Sequence, residues 1–158
     1  MKNLDKLIYT YKHRKIVYYL GKKYSNNKEL LEQLSNHDLD KMFLLLFYDK
    51  DIVKKIHRET SRHHDNNLDK TKIDYMEMVL DWESARYTKP DKPLNAYDTL
   101  YKYYPHLENN IVPILEEFGI NFSSTTMDED VVDYVNTLKS IDESDIKKEL
   151  VYCIKKIN

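Results

Sequence analysis

The chain has 158 residues, enough for one domain that buries a core of its own without disulfide or metal staples. Charged residues make up 33% and hydrophobic ones 41%, as in a soluble helix-rich protein, and a formal net charge of −2 excludes a global basic field that would draw it onto nucleic acid. Gly occurs only 2 times and Pro 4 times, so turn breakers are too few for a fold of many short strands.

Leu4, Leu7, Ile8 and Tyr11, then Ile16, Val17 and Leu20, recur at helical spacing and predict one long helix over about 3–23, with His13 near its middle. Asn26-Asn27 break that pattern before a short helix over 28–34. Ser35-Asn36 lead into His37-Asp38-Leu39-Asp40-Lys41 and an apolar run to Tyr48, apolar on all sides as in a helix buried at the middle of a bundle. A helix over about 50–60 carries His57; Ser61-Arg62 mark a turn before His63-His64, and Asp65-Asn66-Asn67 form a polar loop.

Thr71 with Asp74 three residues later forms a capping box and opens a helix to about Thr88. Residues 89–93 are a stiff Lys-Pro-Asp-Lys-Pro connector, and Asn95 with Asp98 caps a helix that Pro105 stops. The next helix spans about 109–118, with Pro113 in its first turns and Gly119 ending it. After a loop over 123–126, Thr126 with Glu129 and Asp142 with Asp145 cap two last helices. The final helix sets an apolar stripe of Ile146, Leu150, Cys153, Ile154 and Ile157 against Lys147, Lys148, Lys155 and Lys156. The expected architecture is all-α, a single-domain helical bundle over 1–158.

The lone Cys153 can form no internal disulfide and points to a reducing compartment. The longest apolar stretch, 42–48, falls far short of the roughly 18 residues of a membrane span. Residues 1–6 hold no apolar signal core. A cytoplasmic protein without a membrane partner is expected.

The chemistry lies in the histidines. Five of the six fall at His13, His37, His57 and the tandem His63-His64, with Asp38 beside His37 and Asp81 on a later helix. Imidazole and carboxylate together are the ligand set of borderline cations such as zinc, iron or manganese. Neighbours on a helix point about 100° apart, so His37 and Asp38 can share an ion only at a helix end or an irregular turn, which Ser35-Asn36 supply. His13 and Asp81, mid-helix, supply ligands from a distance. Glu77, Met78, Asp81, Ser84 and Ala85 form a small acidic face able to line a cavity. A buried unpaired Asp81 would cost several kcal/mol or so, which a cation, Arg86 or a lysine would offset.

The order His, His-Asp, distal Asp on a helical core resembles the HD-domain metal-dependent phosphohydrolase superfamily. Residues 37–41 fit its HDxxK form, and the interposed His57 and His63-His64 resemble the extra histidines of its two-metal members. More narrowly, the chain is similar to bacterial and phage proteins with an HDLSKF motif, a histidine pair and a Glu-Met-Val-x-Asp-Trp segment, here Glu77 to Trp82. That likeness covers about 10–105; the helices from about 107 on lie outside it.

The resemblance implies an HD-like fold whose motif-bearing core spans about 3–105, and one or two divalent ions (Fe, Mn or Zn). His13, His37, Asp38 and Asp81 would hold the first. Asp38 would bridge to a second on His57 and one or both of His63 and His64. An unbroken helix would separate His57 from His64 by about 10 Å of rise, so the chain must turn between them. A water acidified by the ions would attack phosphorus, with Asp38 and Lys41 at the reacting centre and Arg58, Arg62 and Arg86 as candidate phosphate contacts. Asp40, where the family favours glycine or serine, is expected to add an anion near the phosphate. The chain lacks the Gly-Tyr-Pro segment of the cyclic-dinucleotide enzymes.

The partner expected is thus a small phosphorylated molecule, a nucleotide or other phosphoester, with no extended nucleic-acid surface. The C-terminal helices either cover the cleft or build a homodimer contact. Two alternatives share the ligand order: an HD-fold diiron oxygenase, and a non-catalytic helical module that binds nucleotide or protein and keeps a metal site.

Overall fold

The computed structural model describes residues 1–157, leaving out the side chain of Ile157, and every regular element among them is helical. Helix α1 (Leu4–Tyr24) is followed by α2 (Lys28–Leu34), where the Asn27 side chain accepts the Leu30 N–H. Gly21 lets these two cross closely, since a Cβ there would collide with Leu34 Cδ1. A turn over 35–38 joins α2 to the short α3 (Leu39–Leu44), and α4 (Lys50–Thr60) follows. The chain then loops without helix over 61–71 before α5 (Lys72–Thr88).

Beyond the connector come α6 (Ala96–Tyr103), a 3-10 turn (Pro105–Leu107), α7 (Glu108–Phe118), α8 (Glu129–Thr137) and α9 (Glu143–Ile157). Gly119 takes the left-handed conformation at φ 71°, where the absent Cβ matters, and closes α7. No helix is long and apolar enough to cross a membrane among the described residues.

The centre of this all-α, single-domain bundle is α5. It packs against α1, α2, α6, α7 and α8, and its buried side chains surround its axis. Leu20, Met78, Leu80, Leu100, Ile111 and Leu115 belong to the main core. A smaller core of Leu7, Met42, Leu45, Val53, Ile146 and Leu150 joins α1, α3, α4 and α9. The C-terminal helices complete both: α7 and α8 lie on α5, and α8 and α9 on α1.

Two local expectations are corrected. The run 42–48 is not the central helix. Helix α3 ends at Leu44, only Met42 and Leu45 are buried from that run, and Phe47 is 72% exposed, because six residues cannot present an all-round apolar surface to a core. Thr126 does not cap α8, whose N-cap is Asp128. Pro113 sits sixth in α7, in its second turn and so within the first turns as expected, and its missing N–H costs the helix one internal hydrogen bond. Of the terminal stripe, Ile146, Leu150 and Cys153 are buried and Ile154 is not; the Ile157 side chain lies outside the described residues.

Both carboxylate boxes form as the sequence predicts. Thr71 Oγ1 accepts the Asp74 N–H while Asp74 Oδ2 accepts the Thr71 N–H, and Asp142 and Asp145 exchange the same two bonds. Thr71→Ala should therefore destabilise the protein by about 1 kcal/mol, measured as a lowered urea midpoint with an unchanged slope.

Candidate metal centre

The turn between α2 and α3 is built around Asp38, whose backbone is left-handed at φ 55°, ψ 18°. Aspartate visits this region more readily than most L residues. Here it breaks the helical 100° step, so His37 and Asp38 project to one place: His37 Nε2 lies 3.6 Å from Asp38 Oδ2. Arg14 of α1 clamps the turn, donating Nε–H to the His37 carbonyl at 2.8 Å and Nη2–H to the Ser35 carbonyl at 2.9 Å. Glu149 of α9 braces the same guanidinium at 3.1 Å.

Two triads converge on Asp38. On one side His13 Nε2 lies 3.1 Å from His37 Nε2 and 2.7 Å from Asp81 Oδ1, and 3.5 Å from Asp38 Oδ2. On the other, His57 Nε2 lies 3.3 Å from His63 Nε2, and these nitrogens are 2.9 and 3.1 Å from Asp38 Oδ1. The chain does turn as a shared site requires. Helix α4 stops at Ser61, whose extended backbone leads His63 and His64 back beside His57, with ring centroids 5.1 and 4.9 Å away. His13, His37, Asp38, His57 and His63 are all buried.

The outer ring nitrogens decide what the inner ones can do. His37 Nδ1–H donates to Glu77 Oε2 at 2.6 Å and His57 Nδ1–H to Asp40 Oδ2 at 2.7 Å, since a carboxylate only accepts. His63 Nδ1 lies 3.0 Å from the same Glu77 oxygen. Ser84 Oγ–H donates to the Asp81 carbonyl, so its oxygen is left to accept from His13 Nδ1 at 3.3 Å. With protons outside, four Nε2 lone pairs face inward on one another and on the carboxylates of Asp38 and Asp81. Asp38 Oδ1 is buried and receives no hydrogen bond, although two ring nitrogens lie within 3.1 Å, which fits their inward lone pairs.

Such a cluster calls for positive charge. Burial opposes a charge on His37, yet Asp38, Asp81 and Glu77 hold it well above the usual histidine range. Burial and His37 both oppose a charge on His63, and Asp38 and Glu77 still push its pKa up to about 9. Burial alone would raise Asp38 and Asp81; the surrounding imidazoles hold both carboxyls well below the ordinary value. His64 goes the other way: burial, His63 and His57 push it down to about 3, which keeps it a neutral potential ligand.

These groups could hold a metal ion. The donor atoms of His13, His37 and Asp81, and those of His57, His63 and His64, each lie within 4.8 Å of one another. For metal–ligand bonds of about 2.1 Å at angles between 90° and 109°, neighbouring ligand atoms lie roughly 3.0–3.4 Å apart. The N···N separations of 3.1 and 3.3 Å fall in that interval. Glu77, itself held by Gln33 Nε2 at 2.7 Å, and Asp40 fix ring orientation and tautomer, the usual outer support of histidine ligands.

The centre opens into a cavity of about 580 Å³, lined among others by Tyr9, His13, Asp38, Lys41, His64 and Asp81. Lys41 Nζ stands 3.7 Å from Asp38 Oδ2, one turn along α3. Arg58 also lines this cavity. Arg62 and Arg86 do not, which corrects two of the expected phosphate contacts. Arg62 is held by Asp74 at 2.9 Å and the Asp69 carbonyl; buried Arg86 is held by Glu83 and the Thr126 carbonyl. Asp40, expected as a stray anion beside the phosphate, has its carboxylate bound to His57 instead. His106 takes no part; it is exposed and pairs with Asp65.

Sequence reading missed Glu77 and Asp40 as orienting groups, Gln33 and Arg14 behind them, and most of the lysines around the cavity. Glu77 alone gave a signal, four residues before Asp81 on the same helical face. No family model matches the chain, nor does a curated protein or a solved structure. Because Glu77 serves His37 and His63 together, Glu77→Gln should lower metal affinity by about 10- to 100-fold with the fold intact, as read by chelator competition alongside far-UV circular dichroism.

Proposed function

We propose that this protein is a metal-dependent phosphohydrolase of the HD type, acting on a nucleotide or other small phosphoester. The observation that carries the reading is the single carboxylate of Asp38, one oxygen toward His13 and His37 and the other toward His57 and His63, at the floor of a cavity with Lys41 in its wall. His13, His37, Asp38 and Asp81 would hold one divalent transition ion, Fe, Mn or Zn; His57, His63 and His64 with the second Asp38 oxygen would hold another. When bound, the metal supplies a water acidic enough to attack phosphorus near neutral pH and positive charge for the phosphoryl oxygens.

The chain's own residues do the rest. Glu77 and Asp40 keep the Nδ1 protons of His37 and His57 outward, so the Nε2 lone pairs stay available. Lys41, partly exposed at the cavity wall, offers an ammonium to a phosphoryl oxygen and balances the charge that grows as the bond to the leaving group breaks. Arg58 offers a fork for two oxygens farther out. Burial of the ligand residues lowers the local dielectric and strengthens each of these contacts.

The test is elemental analysis of purified protein together with a panel of phosphomonoesters, phosphodiesters and nucleotides. At least one transition metal per chain and phosphate release are expected. His37→Ala and Asp38→Ala should abolish both, whereas Lys41→Ala should keep the metal and lose about 100-fold in turnover. Full turnover by metal-free Asp38→Ala protein would end the reading. A mixed-valence iron pair in electron paramagnetic resonance, with no phosphate released, would replace it by a diiron oxygenase.

A further inference from the structure

Resting on the phosphohydrolase reading, we propose that the cavity carries a second anion subsite and takes a substrate with two or more phosphates in a chain. The scissile phosphorus would lie at the histidine centre and the others on a rim of lysine and arginine.

The rim comes from three separate parts of the fold. Lys50, Lys54 and Arg58 recur at intervals of four along α4, one face of that helix. Lys89 and Lys92 stand in the connector after α5, and Lys6 comes from α1. Asp51 and Asp91 are the carboxylates of the lining outside the centre itself. Six cations against two anions make this opening strongly positive on a chain whose formal net charge is −2.

None of the six has a carboxylate within 4.0 Å among the described residues, although Lys23, Arg14, Arg62 and Arg86 elsewhere are paired. Unpaired like charges repel one another, and Lys54 stands among them. Arg58 above all, then desolvation, then Lys92 and Lys89, push its ammonium below the ordinary lysine value. A polyanion relieves that repulsion. Lys89 also lies 5.7 Å over the Tyr9 ring, which holds one cation at the mouth.

The dimensions favour a chain of phosphates over one. A cavity of about 580 Å³ is several times what a single phosphate group occupies, and Lys41 already serves the group at the centre. These cations ring a single cavity mouth rather than a long groove, so the fit is to a short polyphosphate rather than a nucleic-acid strand.

Calorimetric titration of the purified, metal-containing protein with inorganic triphosphate and with orthophosphate tests this, metal content being read before and after so that stripping is not scored as binding. Triphosphate should bind at least tenfold more tightly than orthophosphate. That preference should collapse in Lys54→Gln/Lys89→Gln and persist in Lys102→Gln/Lys139→Gln, which removes equal charge away from the cavity. Equal affinities, loss of preference in both double variants, or tighter binding of a single-stranded oligonucleotide than of triphosphate would overturn the subsite. The two readings separate cleanly. Phosphomonoester turnover without triphosphate preference sinks the subsite alone, whereas rim-dependent preference without turnover of any phosphoester keeps it and sinks the hydrolase.

Discussion

The contact on which the rest depends is the two-sided carboxylate of Asp38. Its left-handed backbone costs about 1 kcal/mol. Without that conformation, adjacent residues 37 and 38 would point to different sides of a helix and the two histidine groups would share nothing. The cost is met locally by Arg14, which ties the turn to α1 through the Ser35 and His37 carbonyls. Glu149 then gives the C-terminal helix a stake in the centre, although no residue beyond 92 lines the cavity.

Packing several carboxylates and imidazoles into a dry interior would ordinarily weaken a fold. Here the outer nitrogens of His13, His37, His57 and His63 are matched to acceptors, while the inner ones are left facing each other, a division of labour that suits a cation and suits nothing apolar. Binding such an ion would add to folding stability as well as chemistry, on the order of 4 kcal/mol at a thousandfold excess over the dissociation constant. The seam between the two hydrophobic cores is where this polar cluster can sit. Helix α1 belongs to both cores and α5 closes the larger one, so His13 and Asp81 are placed on rigid helices, while His37 and Asp38 sit in the clamped 35–38 turn and His63 and His64 on the 61–71 loop.

Much of this was legible in the sequence. Helix bounds followed from capping residues and apolar spacing, and the histidine–aspartate order singled out the residues that the fold brings together. The misreadings have a common physical origin. The run 42–48 looked central because it lacks charge, yet six helical residues cannot be buried on all sides. Helix α5 is the central one although it carries Asp74, Glu77, Glu83 and Arg86 inside, because each is paired and periodicity cannot see pairing. Arg62 and Arg86 looked available for phosphate for the same reason. The basic rim was invisible because its lysines are scattered over residues 6 to 92 and only folding gathers them.

The central claim, that inward Nε2 atoms and the two oxygens of Asp38 surround cations, is tested most directly by anomalous X-ray diffraction at metal absorption edges on crystals of the purified protein. The account predicts strong anomalous density bonded to His13, His37, Asp38 and Asp81, with a second peak on the His57, His63 and His64 side of the same carboxylate. Crystals grown with manganese or zinc that show no density there, their imidazoles linked to one another by N–H···N hydrogen bonds, would contradict it.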